Sequence, residues 1–214
     1  KIEENITSKT KALLLVHLYG ICCNMDRILE LKKKYNLYLI EDCAQAHGSL
    51  WKDKKLGSFG DISCFSFYPS KNLGAVGEAG CVLTNNINYY KLINSFKFFG
   101  QKEVYDYVYI GNNYKSSNLI MASLNLKIDY LDSFNKKRSN AVLLYKNILK
   151  DNNNITFLEV DKNNYVNCHL CVIIVDDRDN LMKHLNTNNI ECGIHYPNPL
   201  YLTEAYRKYE SKYT

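Results

Sequence analysis

The sequence predicts an α/β protein built on a mostly parallel sheet, and three observations carry that expectation. Short apolar runs alternate with amphipathic stretches through the first half of the chain. A strand–helix–strand unit fits within residues 12–42. Residues 117–150 then change to helical spacing and are almost free of Gly and Pro. Such alternation is the pattern of βαβ units, whose crossovers leave the joined strands parallel.

Taken in order, Ala12-Leu13-Leu14-Leu15-Val16 is a buried strand by its length and flanks. Asp26–Tyr35 carries Ile28, Leu29 and Leu31 on one side and lysines on the other, the signature of an amphipathic helix. Leu37–Ile40 is the next strand, closing on Glu41-Asp42. Ile62–Phe67 and Gly80–Thr84 add two strands, and Ile87–Phe96 a helix. Leu119, Ile120, Ala122, Leu126, Ile128, Leu131, Phe134, Ala141 and Leu144 recur at helical intervals, so 117–150 is one long helix or two in sequence. A smaller unit follows, with a strand at Cys168–Val175 and a helix at Asp177–Thr187. The expected organisation is a large domain over 1–115, a linking helical region over 116–150 and part of a small domain over 151–214. The first strand comes so early that the sheet has too few strands and helices to cover both its faces. A chain truncated at its N-terminus is the expected reason, ahead of a partner that completes the sheet.

Composition narrows the function classes. The 214 residues are 46% hydrophobic and 23% charged, as in ordinary globular domains. The net charge of +5 is spread along the chain. Its densest runs, Lys32–Lys34 and Lys136–Arg138, lie in helix-like segments without an accompanying recognition motif. They read as solvated helix faces, and no nucleic-acid partner is expected. The eight cysteines fall mostly in apolar runs, as reduced, buried small hydrophobes of a cytoplasmic protein do. Cys168 and Cys171 have Cys-x-x-Cys spacing, but no second ligand pair follows in a turn, so no metal is expected. No signal peptide or membrane-spanning run is present, and no membrane partner is expected.

Two segments carry chemistry. Asp42 stands at the C-terminal end of a parallel strand, the edge of an open α/β sheet where ligands bind. Position alone leaves it as either a turn residue or a functional carboxylate. Gln45 and His47 follow among small residues, a texture suited to close approach by a ligand. The second segment is Phe65-Ser66-Phe67-Tyr68-Pro69-Ser70-Lys71-Asn72-Leu73-Gly74. Lys71 is either a surface lysine or an amine whose aromatic surroundings lower its pKa for condensation with a carbonyl. Gly74, Gly77 and Gly80, with Glu78 among them, let the backbone run tightly beneath a bound group.

Glu41-Asp42-Cys43-Ala44-Gln45-Ala46-His47-Gly48, Gly57-Ser58-Phe59-Gly60-Asp61, Phe65–Gly74 and Glu78-Ala79-Gly80 together resemble the DegT/DnrJ/EryC1/StrS family of pyridoxal-phosphate-dependent sugar-nucleotide aminotransferases. The likeness extends through Val16–Gly20, Gly111–Tyr114 and Gly193–Pro197, and so covers essentially the whole chain. It implies a fold-type-I aminotransferase, with a seven-stranded type of sheet and helices on both faces. The implied enzyme is a homodimer that moves an amino group, from glutamate, to a nucleotide-linked keto sugar in amino-sugar and surface-polysaccharide biosynthesis. Lys71 would form the internal aldimine with pyridoxal 5′-phosphate and shuttle a proton. Asp42 would pair with the ring nitrogen, Gln45 with the ring hydroxyl and Ser66 with the phosphate. Asn113 would reach the phosphate of the neighbouring subunit's cofactor. His195 and Tyr196 would face the nucleotide-sugar, a capped loop being the alternative for His195. The 3-dehydratases of the family carry histidine where Lys71 stands, and Ala79-Gly80 with Ile194–Pro199 look more like members that aminate C3 of the sugar than C4. Where the family has arginine and then an acidic residue, this chain reads Lys115-Ser116-Ser117-Asn118. That departure and the expected truncation favour the alternative of a non-catalytic remnant or scaffold that keeps the fold, which intact Lys71, Asp42, Gln45 and Ser66 oppose.

Overall fold

The computed structural model describes residues 1–212, with side chains to residue 208. Strands β1 (Ala12–Val16), β2 (Tyr38–Asp42), β5 (Ile62–Ser66) and β6 (Gly80–Leu83) form one sheet in the order β1-β2-β5-β6. β1, β2 and β5 run parallel, with Val16, Asp42 and Cys64 in register at the C-terminal edge. β6 returns antiparallel to β5, so the sheet is mostly parallel and mixed at one edge. Between β2 and β5, the short strands β3 (Leu50–Trp51) and β4 (Lys54–Lys55) pair with each other, and β3 also pairs with Asn164–Tyr165.

Local chemistry explains the helix boundaries. α1 (Met25–Lys34) begins where Asn24 Oδ1 accepts from the Arg27 N–H and ends on three lysines that complement its dipole. α2 (Ile87–Lys97) is capped by Asn86 and α3 (Asn118–Ile128) by Ser117, each side chain accepting first-turn amides. Asp129 and Tyr130 then break the helical region, and α4 (Leu131–Ile148) follows, so 117–150 is two helices.

The four-stranded sheet is buried on one face and bare on the other. Alternation sends Leu13, Leu15, Leu39 and Phe65 towards Met25 and Ile28 of α1, where Cys22, Cys43, Trp51 and Leu56 complete the main core. Burying each large aliphatic side chain there contributes about 1.5–3 kcal/mol. The opposite face carries Leu14, 67% exposed, and Val16, 51% exposed, beside Tyr38 and Val82. The expectation of a sheet with one uncovered face therefore holds. A second cluster, Leu73, Ala75 and Leu124 with Phe67, Ile120 and Leu131, seats α3 and the start of α4 against the chain after β5.

The chain divides into two compact units, 1–153 with 157–173, and 154–156 with 174–214. This differs from the expected boundary at residue 151, because 157–173 packs with the first unit through Asn164, Asn167 and His169. The last two residues of the expected 151–214 unit lie outside the described residues. The strand expected over Cys168–Val175 shrinks to Ile173–Ile174. Cys168 takes a left-handed φ of 50°, and Asn167 and His169 are committed to hydrogen bonds elsewhere in the first unit. In the second unit the expected helix appears as α5 (Arg178–Thr187), capped by Asp177. The cysteines are all free thiols, but only Cys22 and Cys43 are buried, and Cys23, Cys171 and Cys192 are exposed. No helix among the described residues is long and apolar enough to cross a membrane.

One buried carboxylate ties the parallel strands together. Glu41 is fully buried, and its Oε2 accepts from His17 Nε2 at 3.0 Å and from the Gly57 amide. Its Oε1 accepts from the Phe59 and Gly60 amides. Burial alone would push its pKa up, but these donors, His17 first, outweigh it and hold the carboxyl below its usual range. Glu41→Ala removes the acceptor of four buried donors, and urea unfolding is expected to show a loss of about 3–5 kcal/mol. A loss below about 1 kcal/mol would mean water replaces the carboxylate at no cost.

Candidate active site

Two carboxylates stand on consecutive residues at the C-terminal edge of β2. Because a strand alternates its side chains, Glu41 points into the core and Asp42 to the bare face. On that face a concavity of about 210 Å³ is lined by Leu14, Ile40, Asp42, Ala44, Cys64 and Ser66 among others. Asp42 and Ser66 thus line one cavity. Asp42 Oδ1 accepts from the Ala44 amide at 3.0 Å, which orients the carboxyl and leaves Oδ2 without a protein partner among the described residues. Ser66 Oγ lies at the end of β5 and accepts from the Tyr68 amide at 3.3 Å.

Gln45 is buried, and its Oε1 accepts from the Tyr19 amide at 2.6 Å. That bond fixes the amide with its Nε2 left as a donor. Tyr19 and Gly20 reach this position through positive φ of 61° and 86°. A side chain at position 20 would meet Asn167 Oδ1 at 1.9 Å, so only glycine fits there.

Lys71 is half-buried beyond β5, held by its amide to the Tyr68 carbonyl at 2.8 Å, and its ammonium has no hydrogen-bond partner among the described residues. His47 lies beside it, 2% exposed, with ring centroids 5.4 Å from Phe65 and 5.8 Å from Phe67. Neither ring nitrogen of His47 makes a well-formed hydrogen bond among the described residues, although the Ser66 backbone lies near the ring. Burial pushes its pKa down to about 4; the Ser66 backbone opposes this and the Lys71 charge adds to it. The histidine is therefore neutral at pH 7.

The remaining expected residues lie elsewhere. Asn113 is exposed, bridged to Phe98, and outside the cavity lining. Lys115 stretches over the rings of Phe98 and Phe99, at 5.3 and 6.0 Å, so the departure at this position is a surface cation–π contact. His195 and Tyr196 are exposed residues of the second unit, their rings 5.6 Å apart.

Sequence reasoning missed a buried polar cluster joining both site segments. Asn72, Asn135 and Asn167 are 6%, 0% and 0% exposed and bond to one another and to the backbone of Gln45 and His47. The partners lie 63 to 122 positions apart, and no local spacing announces them. His17, Glu41 and Cys43 also bring ligand atoms within 4.8 Å of one another, but Glu41 spends both oxygens on four donors and burial pushes the Cys43 thiol far up. The donor chemistry of that trio is a structural hub, unsuited to a metal ion.

Comparison with known proteins agrees with these motifs. The model of the DegT/DnrJ/EryC1/StrS aminotransferase family matches residues 1–214. The chain is 40% identical over 212 residues to the dTDP-3-amino-3,6-dideoxy-alpha-D-galactopyranose transaminase of Aneurinibacillus thermoaerophilus, covering 99% of this chain and 58% of that protein. It is 37% identical to the GDP-perosamine synthase of Escherichia coli O157:H7, covering 97% and 58%. Among solved structures, DesV of S. venezuelae, in complex with a ketimine intermediate, superposes with a TM-score of 0.92 at 33% identity, covering 97% of this chain and 56% of DesV. NtdA of Bacillus subtilis, with bound cofactor PMP, gives a TM-score of 0.87 at 31% identity, covering 100% and 50%. The chain therefore spans a little over half the length of the curated relatives it matches.

The burial of His47 has a consequence in acid. Its folded pKa of about 4 lies below the ordinary 6.5, so the unfolded chain takes up the proton first as pH falls. Stability from this group is complete above about pH 6.5 and is lost as pH falls towards 4, by up to about 1.4 kcal/mol per pH unit. Urea unfolding across that window is expected to give a flatter pH profile for His47→Phe than for the parent. Parallel profiles would show that His47 titrates normally.

Proposed function

The chain belongs to the DegT/DnrJ/EryC1/StrS aminotransferase family, and on that premise we propose that its protein is a pyridoxal-phosphate-dependent aminotransferase acting on a nucleotide-linked keto sugar. The observation that carries the reading is the shared cavity of Asp42 and Ser66 at the sheet edge, with Gln45 and Lys71 on the two adjoining segments. This donor set fits the cofactor. The free Oδ2 of Asp42 suits a protonated ring nitrogen, Gln45 Nε2 a ring oxygen, Ser66 Oγ a phosphate oxygen and the Lys71 amine a carbonyl.

Pyridoxal phosphate supplies, when bound, an electron sink for breaking the bond to hydrogen at the carbon that carries nitrogen. The chain's own residues hold it and move the proton. Asp42 keeps the ring nitrogen protonated through a carboxylate already oriented by the Ala44 amide. Lys71 Nζ tethers the cofactor and, once released, accepts and returns the proton. The neutral ring of His47 excludes water from the inner side of Lys71 without competing for its proton.

Several relatives are named for 3-amino or 3-oxo sugars, which supports amination at C3. Glutamate as donor, and His195 and Tyr196 as contacts to the nucleotide-sugar, follow from the family motifs. A homodimer with shared sites is supported by the hairpin of β7 (Gln101–Glu103) and β8 (Asp106–Tyr107). The hairpin and its flank present Val104, Tyr105, Tyr109 and the 99%-exposed Ile110, an apolar surface of the kind that subunit contacts cover. Asn113, a little further along, would serve the phosphate in a second copy. The alternative of a non-catalytic remnant is not favoured, since Asp42, Gln45, Ser66 and Lys71 are all in place.

Lys71→Ala is expected to lower transamination by at least about 10²-fold, since the amine is both tether and proton carrier. Mixed with an Asn113→Ala protein that is itself poorly active, it is expected to regain activity. Each heterodimer then holds one site with both lesions and one with neither, giving up to about half the parental rate. Turnover of Lys71→Ala within about tenfold of the parent would remove the mechanism. With subunit exchange established, no recovery on mixing would remove the shared site.

A further inference from the structure

The loop that carries Lys71 is anchored at its two ends by backbone, at its middle by the Asn72 side chain, and beyond that by Lys127, whose Nζ donates to the Gly74 carbonyl at 2.7 Å. At the ends, the Phe67 amide donates to the Ala79 carbonyl and the Ala75 amide to the Phe67 carbonyl. Tyr68, Pro69 and Ser70 are exposed, whereas Asn72, Leu73, Gly74 and Ala75 are buried, so Lys71 sits where the loop turns inward. Gly74 folds back against Pro69, where a side chain would meet the Pro69 carbonyl oxygen at 2.2 Å.

The inward anchor is Asn72. Its Nδ2 donates to Asn135 Oδ1 at 2.8 Å and to the Asn167 carbonyl at 3.0 Å. Because both amide protons are spent in this way, Oδ1 is the acceptor for His169 Nδ1–H at 2.9 Å. The partners are themselves fixed. Asn135 Nδ2 donates to the His47 carbonyl, and Asn167 Nδ2 to the carbonyls of Gln45 and His47. Asn167 also donates its amide to Ser49 Oγ and accepts the His169 amide at Oδ1. One buried cluster thus clamps the Lys71 loop to the segment bearing Asp42, Gln45 and His47, through α4 and residues 167–169.

We infer that Asn72 is a positioning residue, which, through Asn135, Asn167 and His169, sets the reach of Lys71 relative to the Asp42 segment. The inference rests on the aminotransferase reading given above. Three satisfied bonds in a buried site define one orientation, and an amide with fewer partners would let the adjacent lysine swing. A buried donor left unpaired would cost stability, but a loop merely needing an anchor could be held by packing. The directional clamp instead ties the amine to the cavity that Asp42 lines. Supporting residues of this kind typically change rates by about 10–100-fold when removed.

The test uses the holoprotein with pyridoxal phosphate bound, comparing the parent, Asn72→Ala and Asn135→Ala. Asn135→Ala leaves Asn72 two of its three partners and so remains folded if Asn72→Ala does not. Two quantities are read: the pH midpoint of the cofactor's visible absorbance, which follows the geometry of the lysine against the ring, and kcat apart from KM. A shifted midpoint, with kcat reduced about 10–100-fold and KM for the amino donor nearly unchanged, supports positioning, with Asn135→Ala weaker in the same sense. Midpoint and kcat equal to those of the parent in whichever variants fold, with only the melting temperature lowered, would overturn it. If the parent shows no visible band that Lys71→Ala abolishes, the aminotransferase reading itself fails and takes this inference with it. A band that depends on Lys71 but is indifferent to Asn72 and Asn135 sinks the inference alone.

Discussion

The functional edge of this fold depends on Glu41 being buried and fully satisfied. A carboxylate in the core is tolerable only when its oxygens are occupied, and here the carboxylate and its four donors come from three places in the chain. His17 follows β1, Glu41 belongs to β2, and Gly57, Phe59 and Gly60 precede β5. Meeting the needs of one carboxylate therefore aligns the ends of three parallel strands. The period of two along β2 then delivers the next residue, Asp42, to the opposite face, at the edge where Ser66 of β5 also ends. A core requirement and a site requirement are met by adjacent residues of one strand.

The site is held by two different kinds of constraint. Strand geometry fixes Asp42 and Ser66, whose placement follows from register alone. Gln45 and Lys71 lie on loops, which need side-chain anchors to hold one conformation. The buried asparagines supply these, and they account for residues 157–173 packing with the first unit, contrary to a boundary drawn at residue 151. The bare sheet face, with Leu14, Val16, Tyr38 and Val82 exposed, borders the same cavity, so the wall opposite the strands is not formed by the described residues.

Local patterns made most of this legible. The strands at 12, 38, 62 and 80 and the helices at 25, 87 and 178 begin within a residue of where the apolar pattern puts them. The proposed site segments drew notice because Asp42 closes a parallel strand and Lys71 sits between aromatics and glycines, and the roles given to them rest on the family motifs. The strand expected over Cys168–Val175 failed because Asn167, just before it, and His169, within it, hydrogen-bond to partners some 95 to 122 positions away. A polar network between distant segments leaves no period in the sequence. The same limit explains why the cysteine pattern misled: an apolar run gives average burial, whereas Cys23 and Cys171 face outward.

The claim at the centre of this account is that Lys71 is the residue that takes the cofactor. Incubating the protein with pyridoxal phosphate, reducing it with borohydride and mapping the peptides by mass spectrometry measures this directly. The account predicts a stoichiometric pyridoxyl addition on the peptide containing Lys71, reduced by Asp42→Asn, which leaves the ring nitrogen without its partner. Addition spread over surface lysines, or unchanged when Lys71 is replaced, would contradict it.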